Sequence, residues 1–293
     1  MTEDSIIRIH TGDGTEVPLY WYPAAVPRRA LLLLPALGIQ ARLYRELASG
    51  LADGGCSVAL MEQRGHGMSP VRPGYRQRYS LIDSLDQDMP AALAWLRQSE
   101  PAVPLLLGGH SLGGHLSTVY AGQHPQQVDG ILHLACAFPH HCDYAPKQRR
   151  MLRFLCTLIP LFRLLPGFYP GNLVGFGGRE STAMMMQWRQ WALRGDFDIA
   201  DRRGLAEAVA NFNGPVLSVS FERDDFSTKA AVERALSPYR NSPITRVMLG
   251  EAEQGQHLGH TGWARAPAGV IGAASRWMES ALPSRKGTRP ESA

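Results

Sequence analysis

A leucine-rich run that ends in glycines around one serine constrains the fold of this chain more than any other stretch. Residues 105–108 read Leu-Leu-Leu-Gly, which is typical of a buried strand, and residues 109–113 read Gly-His-Ser-Leu-Gly. A helical pattern follows as far as Pro125. In a G-x-S-x-G motif the small residues let the chain turn sharply from strand to helix, which exposes the serine hydroxyl. The stretch therefore predicts a strand, a tight turn that presents Ser111 as a nucleophile, and a helix.

Apolar segments on both sides of this motif alternate with segments of helical periodicity. Strands are predicted at residues 6–10, 17–22, 30–34, 57–61, 130–135, 216–221 and 245–249, in addition to the run that starts at Leu105. Helices are predicted at residues 42–52, 85–96, 230–236 and 266–281, and after Ser111. This alternation is typical of a parallel sheet with helices on both faces, and the first two strands should form an antiparallel hairpin at its edge. The predicted fold is α/β, with a mostly parallel eight-stranded sheet.

One long segment, residues 138–213, interrupts the alternation. It contains a leucine-rich stretch at 151–159, then Pro- and Gly-rich turns, then three methionines followed by Trp188 and Trp191. It leaves and rejoins the sheet at strand ends, where open α/β sheets bind ligands. We therefore predict a helical lid in which Trp188 and Trp191 line the substrate pocket; the alternative is a helical pair packed on the flank of the domain. The predicted domains are a core of residues 1–137 and 214–282, the lid at 138–213, and a flexible tail at 283–293.

Composition narrows the class of protein and its surroundings. A hydrophobic fraction of 44% and a charged fraction of 19% are ordinary for a soluble globular chain. The net charge of +4 comes from scattered basic residues, so we predict no nucleic-acid partner. The four cysteines lack C-x-x-C spacing, and we find neither a signal-peptide pattern nor an apolar run of membrane-spanning length, so free thiols and a cytoplasmic location are predicted. Arginines among the apolar residues of 151–165 leave peripheral membrane contact open, and the oligomeric state could be monomer or homodimer.

A serine hydroxyl needs a base to take its proton and an acid to orient that base. With a G-x-S-x-G turn of this kind, the acid and then the base follow the serine along the chain. The strand at 216–221 is followed by carboxylates, of which we favour Asp224, with Asp225 close behind and Glu222 third. The strand at 245–249 is followed by two histidines. We favour His260, which has small neighbours, and expect His257 to support the loop or to exchange roles with it.

An oxyanion formed during acyl transfer needs two backbone donors. The Leu112 N–H should supply the first, and Ala36 or Leu37, in the loop after strand 30–34, the second. His110 is expected to pack under the turn and is counted among the pocket residues, whereas His115 should face the helix surface or the pocket wall. Residues 257–260 and 140–143 contain metal-ligand types without a second ligand pair at a known spacing. We therefore predict no metal and no other cofactor.

Taken together, these residues resemble the α/β-hydrolase superfamily over nearly the whole chain. Residues 64–69 match the R-G-x-G-x-S turn of that superfamily, with Gln63 in place of the usual preceding aspartate. The first oxyanion loop reads Pro-Ala-Leu-Gly at 35–38 instead of the usual His-Gly. That loop, Tyr44 and the Gly-His-Thr-Gly-Trp motif at 259–263 resemble a bacterial subgroup of predicted α/β hydrolases related to serine aminopeptidase-like and monoglyceride-lipase-like proteins.

The resemblance implies a catalytic triad of Ser111, Asp224 and His260. The function predicted from it is a serine hydrolase that cleaves a carboxylic ester through an acyl-enzyme on Ser111. The apolar insertion suggests a hydrophobic acyl or aromatic small-molecule substrate. Two alternatives stay open: an acyltransferase that uses the same triad, and a ligand-binding homologue without turnover. The second is disfavoured because the candidate serine and histidine are both present.

Overall fold

The computed structural model describes residues 5–164 and 166–282 of the chain. In this part of the chain eight strands form one large sheet, and two short strands form a separate pair. The strands along the chain are β1 (Ser5–His10), β2 (Glu16–Tyr22), β3 (Arg29–Leu34), β4 (Cys56–Met61), β5 (Leu105–His110), β6 (Gly130–Leu134), β7 (Tyr169–Pro170), β8 (Arg179–Glu180), β9 (Val216–Phe221) and β10 (Ile244–Leu249). The large sheet has the order β1-β2-β4-β3-β5-β6-β9-β10, and β7 pairs with β8 separately. Only the pairs β1–β2 and β2–β4 of the large sheet are antiparallel. The predicted mostly parallel sheet with an antiparallel hairpin at its edge is confirmed.

The central strands are apolar without a break because both of their faces are buried. In β3 and β5 every residue is buried, and Leu31 pairs with Leu106 while Leu33 pairs with Gly108. Successive side chains point to opposite faces. Leu32 and its alternate neighbours therefore belong to one hydrophobic cluster, and Leu31, Leu33 and Leu106 belong to the other.

Helices cover both of these faces. They are α1 (Arg45–Asp53), α2 (Leu81–Asp83), α3 (Met89–Ser99), α4 (Leu112–Gln123), α5 (Pro146–Leu158), α6 (Gly171–Val174), α7 (Thr182–Arg194), α8 (Leu205–Val209), α9 (Lys229–Leu236), α10 (Glu251–Gln254) and α11 (Ala268–Ala281). Helices α1 and α11 contribute to the cluster that contains Leu31, whereas α3, α4, α8 and α9 contribute to the cluster that contains Leu32.

The helix predicted at 85–96 is longer and less regular than the periodicity indicated. It starts with α2, passes through a π-helical segment at Ser84–Asp88 and continues as α3. Pro90 lies in the first turn of α3 and has no N–H to donate to the preceding turn, which accounts for the wider segment before it.

The insertion, residues 138–213, begins after β6 and ends before β9. It contains α5 to α8, and it also contains the two-stranded β7–β8 sheet, which a purely helical prediction missed because two-residue strands carry no periodic pattern. Its side chains Leu152, Trp188 and Trp191 belong to the same cluster as Leu34 of β3. The predicted tail at 283–293 lies outside the described residues. Among the described helices, none combines the length and the apolar character needed to cross a bilayer.

Candidate active site

Ser111 occupies the turn between β5 and α4 in a strained conformation. Its φ is 50° and its ψ is −111°, a positive φ that residues other than glycine rarely adopt. Its neighbours must be glycines, because a Cβ at Gly109 would lie 2.7 Å from Gly113 Cα, and a Cβ at Gly113 would lie 2.4 Å from the Leu34 carbonyl oxygen. The Ser111 N–H donates to the Leu134 carbonyl at 3.0 Å. These contacts hold the turn, and with it the half-buried Ser111, at the carboxyl ends of the central strands.

Asp224 lies in the tight turn that follows β9, and its side chain is fully buried. The Phe226 and Ser227 N–H groups donate to Oδ1 at 2.9 and 3.2 Å, and the Ser227 hydroxyl donates to Oδ2. Oδ2 also contacts Nδ1 of His260 at 2.8 Å. Four donors therefore surround this carboxylate, and they fix its orientation toward His260.

His260 lies in the loop between α10 and α11, beside the turn that carries Asp224. Because an ionised carboxylate can only accept hydrogen bonds, the His260 Nδ1 carries the proton in the contact with Asp224, and Nε2 is left with a lone pair. The ring packs between His110, at a centroid distance of 4.9 Å, and Phe226, at 5.4 Å. His260 and Ser111 line the same cavity.

The alternative residues considered for the acid and the base lie elsewhere. Asp225, Glu222 and His257 are all exposed, and the carboxylate that contacts His260 belongs to Asp224. Adjacent residues of the turn point in different directions, and only Asp224 has its side chain turned inward to accept the two N–H groups.

The two residues considered for the second oxyanion donor differ in what their N–H groups contact. The Ala36 N–H donates to the hydroxyl of Tyr44 at 3.1 Å, and that hydroxyl lies 2.8 Å from Nδ1 of His110. Because the Ala36 N–H is already paired, the Leu37 N–H is the better candidate. Leu112 is the first residue of α4, where an N–H has no acceptor within its own helix. Ala36, Leu37 and Leu112 all line the cavity that contains Ser111.

The prediction that His110 lines the substrate pocket is wrong. His110 is fully buried and does not belong to the cavity lining; its ring lies edge-on to Tyr44 and Trp263. It is the last residue of β5, and the period of two places it on the same sheet face as Leu106, opposite to the face that the insertion covers. Burial, and then the nearby His260, lower the pKa of His110 well below its usual value, so the ring is neutral.

The two tryptophans predicted to line the pocket also lie in different environments. Trp188 lines the cavity and lies 4.9 Å, centroid to centroid, from Phe176. Trp191 does not line it, which corrects the second pocket prediction. One turn further along α7, its ring is fully buried against Phe138 and His115.

The cavity above Ser111 has a volume of about 280 Å³ and a mostly apolar wall. The apolar side chains along it include Leu37, Ala137, Leu152, Phe176, Trp188 and Phe226. His115 also lines it, and burial lowers the pKa of His115 to about 4, so this ring is neutral as well. Sequence reasoning missed Leu152, Phe176 and Phe226, although the position of Phe226 two residues after Asp224 was an available signal.

A loop of the insertion packs directly on the loop that contains Leu37. A Cβ at Gly38 would lie 2.3 Å from the Gly178 nitrogen, so the two backbones touch. Beside this contact, Nε2 of His66 lies 3.0 Å from a carboxylate oxygen of Glu180, and the Gly178 N–H donates to the other oxygen at 3.1 Å. His66 and Glu180 are both buried. This pair joins the insertion to the core at the edge of the cavity, and the sequence analysis did not anticipate it.

Three metal-ligand side chains come together among residues that do not line the Ser111 cavity. Within residues 5–164 and 166–282, the ligand atoms of His140, His141 and Cys142 lie within 4.8 Å of one another. The His141 Nδ1 also lies 2.9 Å from the Ala192 carbonyl oxygen, which leaves Nε2 as its ligating atom. This group could hold a cation at the start of the insertion, but it shares no residue with the Ser111 site. The absence of a cofactor there stays a prediction.

Curated relatives match part of the chain. The monoglyceride lipase of Rattus norvegicus is 28% identical over 113 residues, which cover 39% of this chain and 36% of that protein. The monoacylglycerol lipase of Mycolicibacterium smegmatis is 24% identical over 140 residues, which cover 48% of this chain and 49% of that protein. The chain thus matches between a third and a half of the length of these relatives.

Solved structures and a family model cover more of the chain. An α/β hydrolase from Novosphingobium aromaticivorans superposes with a TM-score of 0.60 and 19% identity, over 95% of this chain and 99% of that one. At this identity the likeness shows the fold alone. The family model described as serine aminopeptidase, S33 matches residues 25–194, which is more than half of the chain. The chain therefore has the α/β-hydrolase fold and belongs to the serine aminopeptidase S33 family.

Proposed function

We propose that this protein is a serine hydrolase that cleaves carboxylic esters of hydrophobic acyl groups through an acyl-enzyme on Ser111. The observation that carries the proposal is the 2.8 Å contact between His260 Nδ1 and the buried carboxylate of Asp224, at the cavity that Ser111 lines. This contact orients the imidazole so that its basic Nε2 is available to the serine, which is the role that the acid has in a triad.

In the first half of the reaction, the Ser111 Oγ attacks the carbonyl carbon of the ester while its proton passes to His260 Nε2. The tetrahedral intermediate places negative charge on the former carbonyl oxygen. The N–H groups of Leu112 and Leu37 donate to this oxygen. His260 then protonates the departing alcohol oxygen, the carbon–oxygen bond breaks, and Ser111 carries the acyl group.

In the second half, water attacks the acyl-enzyme with His260 again as the base, and the carboxylic acid is released. The buried Asp224 stabilises the imidazolium that forms in both halves. No step needs a cofactor.

The apolar wall of the cavity supports a hydrophobic acyl group. The insertion supplies Leu152, Phe176 and Trp188 to this wall, and we propose that it serves as a lid. The names of the two curated relatives, monoglyceride lipase and monoacylglycerol lipase, agree with this substrate class. We extend to this chain only the ester bond and the hydrophobic acyl group.

Hydrolysis of p-nitrophenyl esters of increasing acyl length tests the proposal. We expect a burst of p-nitrophenol and a fall in kcat of roughly 10³-fold or more for Ser111→Ala, His260→Ala and Asp224→Asn. The matched controls His257→Ala and Asp225→Asn, from the same loops, should stay within about twofold of wild type because they alter exposed side chains.

A fluorophosphonate probe separates the outcomes that would contradict the proposal. If the wild type hydrolyses no ester but the probe labels Ser111, the nucleophile is active and the ester class is wrong. If Ser111 is not labelled either, the chain is a ligand-binding homologue. Release of an ester of an added alcohol in place of the free acid would favour the acyltransferase alternative.

A further inference from the structure

A second, larger cavity opens next to the one that contains Ser111. Its volume is about 990 Å³, and it shares Gly38, Ile39 and Thr261 with the first cavity. One wall is the segment that leads from this loop into α1, and the other is the segment that leads from Thr261 into α11. The two cavities therefore adjoin each other at the loop after Leu37 and at the residue after His260.

The second cavity differs from the first in charge. Among the described residues, the lining of the first contains no Asp, Glu, Lys or Arg, whereas Arg42, Arg45 and Arg265 line the second. Glu46 is the acidic residue of this lining, and it lies 3.4 Å from Arg45. Three positive charges thus face one negative charge. We call the surface around these three arginines the arginine groove.

The position of the arginine groove relates it to the leaving group of the reaction. The proton that His260 accepts from Ser111 must pass to the alcohol oxygen of the ester, so the alcohol lies on the His260 side of the reacting carbon. Thr261, the residue after His260, is where the arginine groove begins. With the acyl group in the apolar cavity that contains Trp188, as proposed above, the shared residue Thr261 puts the arginine groove beside the alcohol of the ester.

We propose that the arginine groove binds a phosphate group carried by the alcohol of the substrate, a proposal that rests on the function proposed above. Guanidinium groups bind phosphate through paired, charge-assisted hydrogen bonds. A neutral alcohol has no charge for the three arginines of the groove to stabilise, whereas a phosphate has. The reaction breaks only the ester bond: water adds to the acyl carbon, the alcohol oxygen takes the proton from His260, and the phosphate leaves intact on the alcohol.

Two esters that differ only in the phosphate test this proposal: 1-hexanoylglycerol and 1-hexanoylglycerol 3-phosphate. We expect the wild type to prefer the phosphorylated ester by about tenfold in kcat/KM at low ionic strength, as a few solvent-exposed charge pairs would give. The preference should weaken with added salt, since exposed charges are screened. The triple variant Arg42→Gln, Arg45→Gln, Arg265→Gln should lose the preference, so that its kcat/KM for the phosphorylated ester falls to the level of its kcat/KM for the neutral ester.

Arg240→Gln is the matched control, because Arg240 is also exposed but precedes β10, at the opposite end of the strand from the His260 loop. It should keep the preference for the phosphorylated ester. Equal kcat/KM for the two esters in the wild type, or an unchanged preference in the triple variant, would overturn the groove assignment and leave the serine hydrolase intact. Failure to hydrolyse either ester, together with no fluorophosphonate labelling of Ser111, would instead overturn the function on which the proposal rests.

Discussion

Tyr44 connects the loop that carries Leu37 to the end of β5, the strand that leads into Ser111. Its hydroxyl accepts a hydrogen bond from the Ala36 N–H and lies 2.8 Å from Nδ1 of His110, the residue before Ser111. Burial, and then the nearby His260, hold the pKa of His110 well below its usual value, so the ring is neutral and shares one hydrogen bond with the hydroxyl through Nδ1. Tyr44 and His110 are thus positioning residues: they set the distance between the two backbone donors of the proposed oxyanion site without touching the substrate.

Tyr44→Phe should therefore lower kcat by roughly 10-fold, with a smaller change in KM, since the loss of one complete oxyanion donor costs about 10²–10³-fold and here a donor is only displaced. The measurement is steady-state hydrolysis of p-nitrophenyl butyrate, with thermal unfolding in parallel. Tyr120→Phe is the control, because the Tyr120 hydroxyl contacts Gln127, well beyond the turn of Ser111. Equal kcat for wild type and Tyr44→Phe would show that the loop holds its position without this hydroxyl.

For single residues, the sequence predicted the residue types of the site but left open which of two adjacent aspartates supplies the carboxylate. Asp224 and Asp225 follow the same strand, so the pattern could not separate them. The distinction comes from the turn, in which the Asp224 carboxylate accepts two backbone N–H groups. His110 was predictable in principle, because the alternation along β5 puts it on the face of Leu106.

Strands were the most predictable elements of this chain. Seven of the eight strands in the large sheet have bounds within one residue of the predicted ones, and β5 extends two residues past the predicted run at 105–108. The central strands were predictable because a strand buried on both faces is an unbroken apolar run between turns. The short strands β7 and β8 were not predictable, because each has two residues and so carries no alternating pattern. Glu180 of β8 also contacts His66 of the core, and no local pattern indicates a contact between residues so distant in sequence.

The contact between His66 and Glu180 makes the stability of the fold depend on pH. Burial by itself would lower the pKa of His66, but the hydrogen bond and charge of Glu180, with the charge of Glu62, outweigh it, so the pKa is raised above 6.5. A histidine whose pKa is raised by folding contributes stability that is fully present below its unfolded pKa. That contribution is lost as the pH rises through the folded value.

Glu180→Gln should remove this contribution. We expect the wild type to lose more stability than the variant between pH 6 and pH 8, and the variant to be less stable at pH 6 by about 1–3 kcal/mol, because His66 is then left without a charged partner. Urea unfolding at both pH values measures this, with Glu207→Gln, an exposed residue of α8, as the control. Parallel pH dependences for wild type and Glu180→Gln would exclude His66 as their source.

At the scale of the whole molecule, the insertion has features both of a lid over the site and of a part of the core. The sequence suggested two arrangements, a lid over the site and a helical pair on the flank, and α7 combines features of both. Trp188 faces the cavity, whereas Trp191 packs on Phe138 and His115 below it. Helical spacing could not separate the two rings, because residues three apart share a helix face whatever that face contacts.

Since the insertion and the sheet share one hydrophobic cluster, we predict that they unfold together. Trp191→Ala should lower the free energy of unfolding by about 3–5 kcal/mol and shift the whole urea transition, seen by far-ultraviolet circular dichroism as well as by tryptophan fluorescence. Leu173→Ala, at a residue of the insertion that is 87% exposed, should change it by less than about 0.5 kcal/mol. If Trp191→Ala separated the fluorescence transition from the dichroism transition, the insertion would be a unit that can loosen while the sheet stays folded, and opening of a lid would then cost far less than unfolding of the domain.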